Sequence, residues 1–377
     1  MRCLTKKSSY FYSGMKMFQR FFPVLLFVWH LFFAWVAYGW ITNSHGDATR
    51  YWFVGQDLAD RSWVDYWAPG TDVVKIFTFP WVKYLHLPFL GGFLLFSMIS
   101  FAALLSLYRM MMNRAGENQA LQLLVYLLML LPNLHFWTSL IGKESLLLVP
   151  LIILCGEINR KNFFSWWVLA ALIFIAVIRP HVAFILLLSY VIGLLFTVPF
   201  SLKKKLVLLG SFVIFTGIFT FLLTRIQDFS GGFQRVLAKY EAHIRYFKTT
   251  DAYVPLDRYP LPYKIFTFYF RPLPFEKEGL FYTVIGIENI ILLLLFGLVV
   301  FYSVKYFGIL KSKMIFVFPL LFLLFFALMY VYAYANYGII MRTKVMAMPF
   351  LYIFVVEILS EKGKTSLPKN TQKQPYS

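Results

Sequence analysis

The chain has 377 residues, of which 60% are hydrophobic, 20% aromatic and only 14% charged, with a formal net charge of +19. Soluble domains run to about 45–50% apolar and about 25% charged, so too few charges are present here to cover a water-facing surface. An ordinary cytosolic enzyme, a disordered chain and a disulfide-built scaffold are excluded, and an all-α polytopic membrane protein is implied.

A crossing helix needs roughly 20 apolar residues. Ten stretches meet or approach that length: 21–41, 86–108, 120–134, 145–158, 163–177, 182–200, 206–223, 287–302, 315–333 and 346–359. About ten transmembrane helices are therefore predicted. No small-residue cleavage site follows 21–41, which reads as an uncleaved first helix and not as a signal peptide. The third and fourth stretches, and the fifth and sixth, are separated only by short turns, so each pair is a tight hairpin or a re-entrant excursion. Cys3 and Cys155 make no disulfide framework and no metal ligand set. The two halves show no matching broken helices, which counts against an inverted-repeat transporter.

Orientation follows from the basic residues. They lie scattered between apolar runs, without RRM-type or zinc-finger spacing, so no nucleic acid is expected as a partner. With the N-terminus inside, 19 of the 36 Lys and Arg fall on cytoplasmic segments, Lys203, Lys204 and Lys205 among them. Of the other 17, 13 sit in two long outward loops, 42–84 and 224–280, which weigh little under the positive-inside rule. Both termini are then inside. Residues 1–361 form one transmembrane domain, and the polar, lysine-rich 362–377 is expected to be a disordered cytoplasmic tail.

With this topology the unusual polar motifs share the outward face. SHGDATRYW carries Asp47 and Arg50, and LPNLHFWTSLIGKE carries His135, Lys143 and Glu144. IRPH gives Arg179 and His181, YPLPYKIFTFYFRPLPFE gives Lys264, Arg271 and Glu276, and YANYGIIMRTK gives Asn336, Arg342 and Lys344. Charges close to a bilayer are expensive and usually functional. Lys143 and Glu144 also read as a helix end at the lipid interface. Asp57, Asp60 and Asp65 read as solvated loop residues, and Glu288 as a buried carboxyl, protonated or paired.

Asp47 leaves the first stretch directly, ahead of two amphipathic pieces, DATRYWFVGQDLA and residues 73–85. An acid there followed by interfacial helices resembles the first loop of the GT-C superfamily of membrane glycosyltransferases. That resemblance implies an acid acting on the acceptor and a polyprenyl-linked sugar as donor, although here Asp47 stands alone. The turns LPNLHFWTSLIGKE, IRPHVAFILLL, FRPLPFE and YANYGIIMR are similar to those of bacterial multi-span envelope polysaccharide polymerases.

The expectation is a glycosyltransferase or polymerase at the outer face of the bacterial inner membrane, acting on undecaprenyl-type (pyro)phosphate-linked sugars, with a glycan or lipid-linked acceptor. An acceptor hydroxyl needs a carboxylate base, which assigns that role to Asp47. A phosphate leaving group needs fixed cations, which assigns Arg179, Arg271 and Arg342 as bidentate partners and Lys143 as a point charge. Arg50, His135, Glu144, His181 and Glu276 complete the substrate-binding set. No cofactor is certain from the sequence, and a divalent metal is possible through Asp47, for which no further ligand set is clear. The rival readings are a transporter or flippase of an anionic lipid-linked glycan, and a non-catalytic assembly scaffold.

Overall fold

The computed structural model describes residues 2–44, 46–53, 63, 70, 72–226, 238, 241–242 and 244–365. Asp57, Asp60 and Asp65, and the tail from residue 366 onward, lie outside the described residues. The helices are α1 (Arg2–Ser44), α2 (Asp47–Phe53), α3 (Val73–Lys83), α4 (Phe89–Ala115), α5 (Gln119–Met129), α6 (Pro132–Thr138), α7 (Lys143–Asn159) and α8 (Trp166–Ile178). They continue as α9 (Pro180–Thr197), α10 (Leu202–Ile226), α11 (Leu261–Phe270), α12 (Leu280–Lys305), α13 (Phe307–Leu310), α14 (Met314–Ala333), α15 (Tyr337–Lys344) and α16 (Met348–Thr365). No strand occurs among the described residues. A single antiparallel bridge, Tyr253 to Asn336, ties the second long loop to the start of α15.

Among the described residues, five helices are long and apolar enough to cross a bilayer: Met17–Ser44 of α1, then α4, α9, α12 and α14. The number rises to seven if each of two bent pairs is one span, α5 with α6 (42°) and α15 with α16 (56°). Ten full-length spans are not seen among the described residues, and the reason is local. Pro132 has no amide to continue α5 and sits well in a first helical turn, so the third stretch breaks there. Its fifth counterpart, α8, has only 13 residues, or about 20 Å of helix. Residue 179 precedes Pro180, which disfavours helical geometry, and Arg179 is held at φ −140° between α8 and α9. Each half of the chain thus carries one broken pair, which the apolar runs alone do not display. The last helix also passes residue 361 and ends at Thr365.

Packing follows the sequence's aromatic content. α4 lies against α1 and α7, α9 against α14, and α16 against α14, α12 and α4. Phe322 meets Phe326 at a tilt and Phe350 edge-on, with ring centroids 5.1 and 4.8 Å apart. Lipid is as apolar as these side chains, so close contact, and not exclusion from water, holds such helices together. Gly92 shows how tight that contact is. A Cβ at this position would collide with the Trp52 ring, so only glycine lets α2 seat against α4. Thr78 then fixes α3 to α2 by donating to the Tyr51 carbonyl at 2.8 Å.

The bundle has two polar ends. From Lys143 to Asn159 in α7, His181 to Thr197 in α9 and Tyr330 back to Met314 in α14, the chain advances sixteen residues. Each interval is about 24 Å of helix, close to the thickness of bilayer hydrocarbon, about 30 Å. One end gathers Glu144, Arg179, His181 and Tyr330. At the other, Asn159, Thr197 and Met314 line a cavity with Arg114, Lys313 and Glu357.

Candidate functional site

Glu144 is the centre of the first polar end. It occupies the first turn of α7, where the helix dipole favours a carboxylate, and it is 2% exposed. Its Oε1 accepts from Arg179 Nη2 at 2.5 Å and lies 2.9 Å from Arg342 Nε. Arg179 comes from the α8–α9 break and donates through Nη1 to the Tyr330 hydroxyl at 3.1 Å. His181 Nε2 reaches the same hydroxyl at 3.2 Å. Arg342 comes from α15 and donates through Nη1 to Asp47 Oδ2 at 2.8 Å. Lys143 is the neighbouring residue on α7. Segments far apart in the chain are therefore joined through one carboxylate and two guanidinium groups.

Asp47 and Arg342 open onto a cleft of about 220 Å³ that is also lined by Trp40, Trp137, Gly46 and Asn336. The Arg342 guanidinium lies 5.9 Å from the Trp137 ring centre, and Trp40 meets Trp137 edge-on at 5.9 Å. Three polar atoms at this cleft have no partner among the described residues: Asp47 Oδ1, Arg342 Nη2 and the buried Trp137 Nε1. An acceptor and two donors, one cationic, thus face an aromatic-walled space. Burial, reinforced by the Asp47 carboxylate, pushes the Tyr51 phenol well above its ordinary range, so it stays neutral.

Other residues of the expected site lie elsewhere. Arg271 and Glu276 form their own ion pair. The Arg271 guanidinium lies over the rings of Tyr259, Tyr263 and Tyr337 at 5.7, 5.5 and 5.7 Å, and Tyr337 donates to Glu276 at 3.0 Å. A three-arginine clamp is not what the structure brings together. Arg50 pairs with Asp72 at 3.5 Å and not with Asp47.

His135 is not at the interface but fully buried, 3.0 Å from His30 through the two Nδ1 atoms. Its Nε2 is 2.6 Å from the Met129 carbonyl and must carry a proton, so its Nδ1 accepts from His30. His30 Nε2 is then the acceptor 2.9 Å from Ser100 Oγ. This is a packing chain between α1, α4 and α6, distant in role from an anion site. Lys264 rests over the Tyr332 ring at 4.5 Å. Lys344 donates to Asn289 at 2.5 Å, and Glu288 accepts from the Asn133 amide at 2.7 Å, so that buried carboxyl is hydrogen-bonded at the start of α6.

Tyr330 was missed in the sequence because it sits in an apolar run, where an aromatic residue ordinarily means packing, and Trp137 because its turn was read for His135, Lys143 and Glu144. The one available signal was the recurrence of Tyr330, Tyr332, Tyr334 and Tyr337 ahead of Arg342. Among the described residues, no three His, Cys, Asp or Glu side chains come together as a metal site. Comparisons with protein-family models, curated proteins and solved structures give no match for the chain.

Proposed function

We propose that the protein is a membrane glycosyl-transfer enzyme acting on sugars carried by polyprenyl phosphate or pyrophosphate, at the outer face of the bacterial inner membrane, in envelope or exopolysaccharide synthesis. The observation that carries this reading is the Asp47–Arg342 pair, anchored on Glu144 and open to an aromatic-walled cleft. Asp47 Oδ1 takes the proton of the acceptor hydroxyl as that oxygen bonds to the anomeric carbon. The bond from that carbon to the phosphate oxygen breaks, and the electron pair leaves with the phosphate. Arg342 Nη2 faces the charge that develops there. Arg179 is 7% exposed and acts through Glu144 as a positioning residue. Arg271, held by Glu276 and three tyrosines, belongs to a second anchoring point on the same long loop. The test is release of polyprenyl phosphate or pyrophosphate by purified protein supplied with a lipid-linked sugar. No turnover with any such donor would reject the enzyme.

Ten apolar segments with both termini inside are the topology that accompanies this reading. Single cysteines placed in residues 244–280 should label in intact cells, and one placed at Lys204 only after permeabilisation. The opposite pattern would put the Glu144 end inside and remove the outer-face assignment. A second reading, a transporter of an anionic lipid-linked glycan, is favoured by the two broken helix pairs, because discontinuous helices commonly line substrate paths. Movement of the donor across a bilayer without its cleavage would select it.

A further inference from the structure

The other polar end holds a cavity of about 350 Å³ that the glycosyl-transfer reading does not use. It is built where five chain segments end: Arg114 of α4, residues 158–163 after α7, residues 197–199 after α9, residues 312–315 at the start of α14, and Glu357 of α16. Three cations, Arg114, Lys161 and Lys313, and one carboxylate, Glu357, line it. We infer that this cavity binds a phosphate-ester anion, of the kind carried by the headgroup of an anionic phospholipid.

Glu357 is the scaffold of the site. Its side chain is buried, and it holds Arg114 through Nε at 3.0 Å and Lys313 at 3.2 Å. Glu361 takes Lys313 as well, at 2.7 Å, so the ammonium is largely neutralised. Arg114 is not. It engages Glu357 through Nε, and its Nη groups have no partner among the described residues. A guanidinium edge fixed from behind by a carboxylate suits a phosphate oxygen pair.

The first turn of α14 adds donors. Its N-cap is Lys313, whose side chain makes no capping hydrogen bond. The Phe316 and Val317 amides both return to the Lys313 carbonyl, whereas the Met314 and Ile315 amides have no partner among the described residues. A 20-residue helix therefore presents two amides and the positive end of its dipole at the cavity wall.

Lys161 stands on the rim of the same cavity. It follows the end of α7 at φ +59°, a left-handed conformation that suits glycine or asparagine and costs a lysine energy. The Lys161 amide returns to Ile158 O at 3.1 Å and the Asn162 amide to Glu157 O at 2.9 Å, the closing turn that glycine usually makes. Helix capping alone would be better served by glycine. The ammonium is exposed and has no partner among the described residues. Its ammonium joins a guanidinium edge and two amides around one cavity, a donor set that suits a phosphate ester.

The chemistry recognised is the phosphate ester, and the source is separable by experiment. Full-length protein in detergent is titrated with phosphatidylglycerol, with phosphatidylcholine, and with inorganic phosphate as a competitor. Lipid retention is counted by native mass spectrometry and thermal stability is followed alongside. Phosphatidylglycerol should be retained in preference to phosphatidylcholine. Lys161→Gly should keep or raise stability yet weaken that retention by roughly fivefold, the effect of one basic residue on an anionic lipid. Arg114→Gln should weaken it further. Retention unaffected by inorganic phosphate assigns the site to a lipid headgroup, and displacement by it assigns a soluble phosphate ester. If neither phosphatidylglycerol nor phosphate binds, or if Lys161→Gly and Arg114→Gln both retain the lipid as wild type does, the proposal is overturned. None of these outcomes depends on glycosyl transfer, because the cavity lies about 24 Å of helix from Glu144.

Discussion

Glu144→Gln is expected to be the most destabilising single change at the polar end that gathers Glu144, Arg179 and Arg342. The carboxylate holds Arg179 at 2.5 Å and Arg342 at 2.9 Å, and both guanidinium groups are largely withdrawn from water. Removing one partner of a buried ion pair costs about 3–5 kcal/mol, because the remaining charge stays buried without compensation. Here two cations would be left facing each other. Arg342 would also lose the group that aims it at Asp47, so product should disappear even where folded protein survives. Cys155 is a free, buried thiol and reports the unfolding directly through a thiol-reactive dye in a Cys3→Ser background. The double variant Glu144→Gln/Arg179→Gln should be more stable than the sum of the single changes, since it removes the orphaned cation with its partner. Additive losses would show that the pair is not coupled, and the site would lose its centre.

How much of this was legible in the sequence depends on the kind of signal. Long apolar runs specify helices whatever they pack against, and 86–108, 182–200 and 315–333 correspond to α4, α9 and α14. Proline punctuation was equally visible at Pro132 and Pro180, but the bend at α5–α6 was not, because a bend depends on what the freed carbonyls meet. Arg179, Glu144, Arg342 and Asp47 stood out as charges too close to an apolar phase to be incidental. Their pairing could not be read, since it is set by how α7, α9 and α15 cross. Arg271 had the same credentials as Arg179 and went to Glu276, five residues further along, across the turn that holds Pro272 and Pro274. His135 was read with Lys143 and Glu144 in one outward turn, yet it is fully buried against His30.

Asp47→Asn separates an enzyme from a transporter. The change keeps size and a hydrogen-bond acceptor for Arg342, so the Glu144 network should stay assembled and the melting temperature should hardly move. What is lost is a carboxylate able to take a proton through Oδ1, the oxygen left free when Oδ2 accepts from Arg342. A positioned base contributes about 10²–10⁴-fold, so polyprenyl phosphate release should fall by that order while the lipid-linked donor still binds. Asp72→Asn is the control, because that acid only bridges Arg50 and Lys75 at the margin of the site and should leave the rate near wild type. A transporter would respond differently, since Asp47 would serve it as an ion-pair partner: Asp47→Asn would shift donor affinity or transport and leave no chemical step to slow. Wild-type release from Asp47→Asn would remove the base outright. The next carboxylate in the cluster is Glu144, whose Oε1 is engaged by two arginines while its Oε2 makes no contact with either. Unchanged release from Asp47→Asn would therefore move the base to Glu144 Oε2 or to Glu276, and Glu144→Gln and Glu276→Gln would decide between them.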